Sequence, residues 1–213
     1  MKNRCIIIAG SPIFASIDIT EDDFIIAVDS GYSHALAAEI TPDVIMGDFD
    51  SFAGETDKKI KIVKAPVMKD DTDTMLAVKY ALAQGYKKFV LLGGTGGRLD
   101  HQTANISVCA FIAEQGGFCE ITDDNNIVYA IKNSRICLNK KEGWAVSVFA
   151  FSDRAEGVTL EGLKYPLTNA TLANTFPLGV SNEFACDKAT VEVKKGILLV
   201  MLSNLSCGKG SDC

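Results

Sequence analysis

Five aspartates fall within two short segments, GDFDS (Gly47 to Ser51) and KDDTD (Lys69 to Asp73), and a third segment, GGTGGRLDH (Gly93 to His101), sets an arginine beside another carboxylate. Clustered carboxylates repel one another unless a cation sits among them. Ligands that are all oxygen favour a hard ion, Mg²⁺ above all. Mg²⁺ together with an arginine and a glycine-rich turn is the apparatus of phosphate chemistry.

Each segment has a plainer reading. Asp48 and Asp50 would face opposite sides of a regular strand but can turn toward one ion in a loop just past it. Taken alone, the pair fits a solvated turn as well as a metal site. Asp70, Asp71 and Asp73 precede a helical pattern, where capping and the positive helix end favour an acid. Three carboxylates in four residues exceed what capping needs, so a metal or substrate role falls to Asp70 and Asp73. The glycines from Gly93 to Gly97 let backbone N–H groups approach an anion. No Lys-Ser/Thr follows them, so this is not a P-loop. Arg98 can grip a phosphate in two places, and Asp100 can orient it or reach the metal. His101 reads as a first-turn helix residue supporting Asp100, and His34 carries no role.

These residues need a scaffold that brings them together. Cys5 to Ala9, Phe24 to Val28, Asp43 to Met46 and Phe89 to Leu92 are short, continuously apolar runs, as strands buried on both faces require, and Ile60 to Val63 reads as another. Helical patterns lie between them. Thr74 to Gln84 places Met75, Val78 and Leu82 on one face, with Asp71 or Thr72 to cap it and Gly85 to end it. Asp100 to Gln115 places Ile106, Cys109, Ala110 and Ala113 on one face. Strands alternating with helices predict a parallel α/β layer structure. In such sheets ligands bind beyond the carboxyl ends of the strands. There the strands deliver Asp29-Ser30-Gly31, Gly47 to Ser51, and the glycine turn with Arg98.

The pattern changes near Asp123-Asp124-Asn125-Asn126. Beyond it no helix is predicted. Ile136/Leu138, Val158/Leu160 and Val191/Val193 alternate with polar neighbours between turn signals, an antiparallel pattern. The expected fold is therefore an N-terminal parallel-sheet, three-layer α/β domain (residues 1–125) followed by a smaller C-terminal antiparallel β-sandwich (residues 126–213), with Trp144 in the sandwich core.

The bulk properties agree. At roughly 100–200 residues per domain, 213 residues allow one large domain or two small ones, and 47% hydrophobic residues can build a core. A net charge of −6 argues against coating nucleic acid or anionic membrane. Seven cysteines without a CxxC suggest neither a disulfide framework nor a zinc site, and fit a reducing cytosol. The apolar run near the N-terminus is too short for a signal peptide, and Ile197 to Leu202 is too short to span a bilayer. A cytoplasmic protein is expected.

The motifs VDSG (Val28 to Gly31), PDVIMGDFDS (Pro42 to Ser51), KDDTDTMLAV (Lys69 to Val78) and GGTGGRLDHQTANI (Gly93 to Ile106), with EGLKYPL (Glu161 to Leu167) and LGVSNEF (Leu178 to Phe184), resemble those of the thiamine pyrophosphokinases. Their order and spacing match over nearly the whole chain. The resemblance implies transfer of the diphosphate of ATP to the hydroxyl of thiamine, releasing AMP, by a homodimer with its active site at the interface. It implies that Asp48, Asp50, Asp70, Thr72 and Asp73, with Arg98 and Asp100, hold Mg²⁺ and the ATP phosphates, the metal ligands being Asp48, Asp50, Asp70 and Asp73. Asp29 and Gly31, with Gly96 and Gly97, would lie against the nucleotide, although Ser30 stands where the family has glycine. Tyr165 occupies a position often held by tryptophan and would stack on thiamine, with Ser181 and Asn182 completing its pocket. The proton acceptor stays open among Asp50, Asp73 and Asp100.

Overall fold

The computed structural model describes residues 4–11, 15, 17–47, 60–64 and 71–206. The predicted Asp48, Asp50 and Asp70, together with Cys207 and Cys213, lie outside them. The chain divides into two compact units that change over between Asp124 and Asn125, with Ala113–Gly116 grouped with the second.

Among the described residues the first unit is built on six strands: β1 (Cys5–Ile8), β2 (Phe24–Val28), β3 (Val44–Gly47), β4 (Lys61–Lys64), β5 (Lys88–Leu92) and β6 (Phe118–Thr122). All neighbours are parallel, in the order β6-β5-β1-β2-β3-β4. The register explains the continuous apolar runs. Ile6 and Ile8 pair across the sheet with Ile25, Val90 and Leu92 and pack with Ala35 on one face. Cys5, Ile7, Ile26, Phe89 and Leu91 fill the other face and are as deeply buried. A sheet buried on both faces needs cover on both. Burial pushes the Cys5 thiol well above its ordinary pKa, so it acts as a small apolar side chain.

The strand order sets the site. The chain leaves β1 toward β2, β3 and β4, then returns to β5 on the other side of β1 before moving outward to β6. Connections from β1 and β5 therefore diverge, and a crevice opens between them at the carboxyl edge.

Among the described residues three helices accompany the sheet: α1 (Gly31–Ala37), α2 (Asp73–Ala83) and α3 (Leu99–Glu114). Thr72 caps α2, its hydroxyl accepting from the Met75 N–H at 3.2 Å. None of the aspartates of KDDTD is needed as the side-chain cap, and Asp71 instead pairs with Lys79 at 2.7 Å. At the other end Gly85, at φ +89°, closes the helix, with Tyr86 N–H donating to Ala81 O and Gly85 N–H to Leu82 O. Tyr86 then stacks on Phe24 of β2. The buried face of α2 is Thr74, Ala77, Val78 and Ala81, so the predicted Met75 and Leu82 sit on its borders. Small residues let the helix lie close to the sheet, which outweighs the size of Met75 and Leu82. On α3, Cys109, Ala110 and Ala113 are buried as predicted, with Val108 and Ile112; Ile106 is half-buried.

From Asn125 onward the second unit is all-β among the described residues. One antiparallel sheet has the order β12-β9-β14-β7, from β7 (Asn126–Lys132), β9 (Trp144–Ala150), β12 (Gly179–Glu183) and β14 (Ile197–Asn204). The other has the order β11-β10-β13-β8, from β8 (Arg135–Asn139), β10 (Arg154–Glu161), β11 (Leu167–Ala173) and β13 (Lys188–Glu192). Val146, Val148, Leu198 and Val200 of the first sheet meet Leu138, Val158, Leu160 and Val191 of the second in a shared core, which makes the unit a β-sandwich. Trp144 is half-buried at the rim of this core rather than inside it, with the Lys141 ammonium 3.7 Å from its ring centroid. Among the described residues no helix is long and apolar enough to cross a membrane.

Candidate active site

At the crevice predicted by the strand order lies a cleft of about 620 Å³. Its walls come from the ends of β1 (Ala9, Gly10, Ser11) and β2 (Val28, Asp29, Ser30), the start of α2 (Thr72, Asp73, Thr74), and the β5–α3 turn with the first turns of α3. The residues named from sequence thus converge on one cavity: Asp29, Thr72, Asp73, Gly96, Gly97, Arg98 and Asp100 all line it.

Their local settings differ. Asp29 holds φ +49°, and a Cβ at Gly47 would sit 2.3 Å from its Oδ1. Glycine at 47 therefore makes room for the Asp29 carboxylate beside the residue that precedes Asp48. Gly31 does not line the cleft. It is buried at the start of α1, where a Cβ would come within 2.1 Å of the Ile8 carbonyl. The Ser30 hydroxyl donates to the Gly10 carbonyl at 3.4 Å, and His34 Nε2 lies 3.2 Å from the same oxygen.

Arg98 and Asp100 form a two-point pair at the mouth, Nε to Oδ1 at 3.1 Å and Nη2 to Oδ2 at 2.5 Å, with 72% and 62% of the side chains exposed. The Arg98 hydrogen bonds hold the Asp100 carboxyl below the usual carboxylate range, and Asp100 raises the guanidinium further. Oδ1 of Asp100 also accepts the His101 N–H at 2.9 Å, so His101 supports Asp100 through its backbone, as expected.

Three features in or behind the cleft are not read from sequence. The Ser11 hydroxyl is buried without a hydrogen-bond partner among the described residues. Asn105, buried on α3, donates to the Gly94 carbonyl at 2.9 Å. The Thr95 hydroxyl donates to the buried Asp123 carboxylate at the end of β6. Asn105 interrupts an otherwise apolar stripe of α3 with Val108, Cys109 and Ile112, a signal the sequence did carry; Ser11 and Asp123 look like ordinary loop residues.

In the sandwich unit, Tyr165 is 60% exposed. Asn182 is buried, and its side chain is committed to the protein: Oδ1 accepts from the Tyr165 and Glu183 N–H groups at 3.0 and 2.9 Å, and Nδ2 donates to the Tyr165 carbonyl at 2.7 Å. Ser181 takes φ +57° where the pairing of β12 with β9 shifts register, and its N–H donates to Ser147 Oγ at 3.0 Å. Asn182 thus braces the segment that displays Tyr165.

A parallel α/β sheet with a glycine-rich turn beside the cleft at its switch point, followed by an antiparallel sandwich, defines a two-unit protein of an α/β layer and a β-sandwich. Residues 18–117 match the model of the thiamin pyrophosphokinase catalytic domain, and residues 133–198 that of the thiamin pyrophosphokinase vitamin B1 binding domain. Thiamine pyrophosphokinase of Bacillus subtilis (strain 168) is 31% identical over 208 residues, covering 92% of this chain and 97% of the relative. The crystal structure of the thiamine pyrophosphokinase from Bacillus subtilis superposes with a TM-score of 0.85 at 28% identity, over 95% of this chain and 99% of the other. That of the thiamin pyrophosphokinase from Geobacillus thermodenitrificans gives 0.83 at 28% identity, over 99% and 100%. The chain belongs to the thiamine pyrophosphokinase family.

Proposed function

We propose that the protein transfers the terminal diphosphate of ATP to the hydroxyl of thiamine, giving thiamine diphosphate and AMP. The observation that carries this reading is the convergence of the glycine turn, Arg98 and the Asp29, Asp73 and Asp100 carboxylates on one cleft. Family membership supplies the substrates.

The donor set is all oxygen, which suits Mg²⁺, an ion that takes one or two carboxylates together with phosphate oxygens. Among the described residues no three acidic, histidine or cysteine side chains cluster tightly enough to cage a metal by themselves. Asp73, with Asp48, Asp50 and Asp70 from outside the described residues, would hold the ion. When bound, Mg²⁺ neutralises charge on the phosphate oxygens.

The chain's own groups do the rest. The N–H groups of Gly94 to Gly97 make no hydrogen bond among the described residues and suit the phosphate oxygens. Arg98 exchanges Asp100 for phosphate as charge builds on the oxygens. The thiamine hydroxyl attacks the β-phosphorus, the bond from that phosphorus to the α,β-bridging oxygen breaks, AMP leaves, and a carboxylate among Asp50, Asp73 and Asp100 accepts the hydroxyl proton. Positioning contributes most of the acceleration. Tyr165 stacks on thiamine, Ser181 borders it and Asn182 braces it. The enzyme works in the cytosol as a homodimer whose interface carries the active site.

The test is AMP release from Mg·ATP by the purified protein, with and without thiamine. AMP formed one-for-one with thiamine diphosphate is expected. A folded, ATP-binding protein that releases no AMP with thiamine refutes the substrate assignment.

A further inference from the structure

We propose that Asn105, Thr95 and Asp123 are positioning residues that hold the Gly93–Gly97 turn in its phosphate-receiving form. The proposal rests on the reading of the cleft as the ATP site.

The turn is bound to the protein on one side only. Three of its five carbonyls are tied back: Gly93 O accepts the Ser11 N–H at 3.2 Å, Gly94 O accepts Asn105 Nδ2 at 2.9 Å, and Gly97 O accepts Gln102 Nε2 at 3.3 Å. The N–H groups of Gly94 to Gly97 make no such bond among the described residues. An anion needs donors, so anchoring the carbonyls and leaving the N–H groups open sorts the peptide dipoles toward a phosphate.

The backbone in this form is not self-supporting. Gly93, Gly96 and Gly97 hold φ of +63°, +78° and +74°. Glycine reaches these angles without strain, but it also has the most freedom to leave them. Among the described residues nothing lies within 4 Å of a Cβ built at Gly97, so their packing does not hold that end. Two buried side-chain bonds do the holding near the centre of the turn, Asn105 to Gly94 from α3 and Thr95 to Asp123 from the end of β6. Both anchors are covered, with Asn105 8%, Thr95 9% and Asp123 5% exposed, so water does not replace them. They act on the ligand through the turn, whereas Arg98 acts on it directly.

The experiment measures Mg·ATP and thiamine affinities by calorimetry, with the melting temperature, for Thr95→Val, Thr95→Ser, Asn105→Ala and Asn105→Asp. Losing one anchor is expected to weaken Mg·ATP about tenfold, since one buried hydrogen bond then no longer favours the receiving form. Thr95→Ser keeps the donor and is expected to restore wild-type affinity. Asn105→Asp keeps the shape, turns a carboxylate on the Gly94 carbonyl, and is expected to weaken Mg·ATP more than Asn105→Ala does. Thiamine affinity is expected to stay within about twofold of wild type.

Folded Thr95→Val and Asn105→Ala proteins with wild-type Mg·ATP affinity overturn the proposal, as does equal weakening toward both ligands, which marks a purely structural role. If either variant fails to fold, Asn105→Asp decides by the same criteria, and Thr95→Ser with weakened Mg·ATP affinity overturns the part of the proposal that rests on the Thr95 hydroxyl. Because Mg·ATP binding needs no acceptor, wild-type protein that binds Mg·ATP but releases no AMP with thiamine refutes the substrate assignment and leaves this proposal standing. Wild-type protein without Mg·ATP affinity overturns both.

Discussion

Two arginine–aspartate pairs in the α/β unit share nearly one geometry in opposite settings. Arg4 meets Asp23 through Nε at 2.9 Å and Nη2 at 3.0 Å, and Arg98 meets Asp100 through the same two nitrogens. The Asp23 side chain is fully covered and also takes the Thr20 N–H at 2.8 Å, whereas Asp100 is mostly in water. A covered pair cannot come apart without leaving an unsatisfied charge. An exposed one separates at little cost because water competes for both partners. The first pair therefore ties the chain before β1 to the turn before β2. The second leaves a guanidinium at the cleft mouth, which on the proposed reading passes to the phosphates. Geometry alone does not distinguish a brace from a reagent; burial does.

The largest effects expected are on catalysis. Asp73→Asn, which keeps shape and removes charge at the first position of α2, is expected to cut turnover about 10³-fold with little change in melting temperature. Wild-type turnover in that variant removes Asp73 from the machinery. Arg98→Ala should lower kcat/KM for Mg·ATP about 10²-fold and leave the melting temperature unmoved. A melting temperature that falls with Arg98 would make the exposed pair a brace like Arg4–Asp23 and break the comparison.

The converse variant works on stability. Asp23→Asn is expected to cost about 1.5–3 kcal/mol in chemical denaturation, because hydrogen bonds to a buried charge are lost. Activity per folded molecule should hold. Smaller again is Asn182→Ala in the sandwich, at about 1–2 kcal/mol for the Tyr165 and Glu183 groups it leaves unpaired. It should also raise the KM for thiamine by misplacing Tyr165. A raised KM with unchanged stability would make Asn182 a direct contact and not a brace.

The same distinction explains what was legible in the sequence. Strand β2 was read to the residue, and β1, β3, β4 and β5 to within one, because strands buried on both faces leave continuous apolar runs. The alternating pairs at 136/138, 158/160 and 191/193 all fall on or beside one sandwich sheet, β11-β10-β13-β8. The other sheet escaped notice. In β14 the residues from Ile197 to Val200 are buried without alternation, so the period of two is erased, and Ile197 to Leu202 read only as an apolar run. Chemistry-bearing side chains at strand ends, such as Asp29 and Arg98, stand out because their types are costly unless used. Thr95 and Asp123 did not, since threonine and aspartate are common in loops and their bond joins residues 28 apart. Only the fold brings them together. For Asn182 the resemblance implies a place in the thiamine pocket, while its hydrogen bonds show it bracing Tyr165.

The pH dependence sharpens the comparison of the two pairs. Burial alone would raise the Asp23 carboxyl, but the hydrogen bonds from Arg4 and from Thr20 outweigh it and hold the carboxyl below its ordinary value. A carboxyl lowered on folding contributes stability that is full above its unfolded pKa, about 3.9, and lost as pH falls through the lower folded value. The stability gap between wild type and Asp23→Asn should therefore be constant from about pH 5 to 7 and narrow below about pH 4. Asp100 is lowered as well, by the Arg98 hydrogen bonds, yet its pair lies in water. Arg98→Ala should accordingly run parallel to wild type across the same acid range. Denaturation curves of the three proteins at pH 3, 4, 5 and 7 check both statements. An Arg98→Ala gap that opens above pH 4 and closes below it would show that exposure does not separate the two pairs, and that the cleft arginine is held as firmly as the structural one.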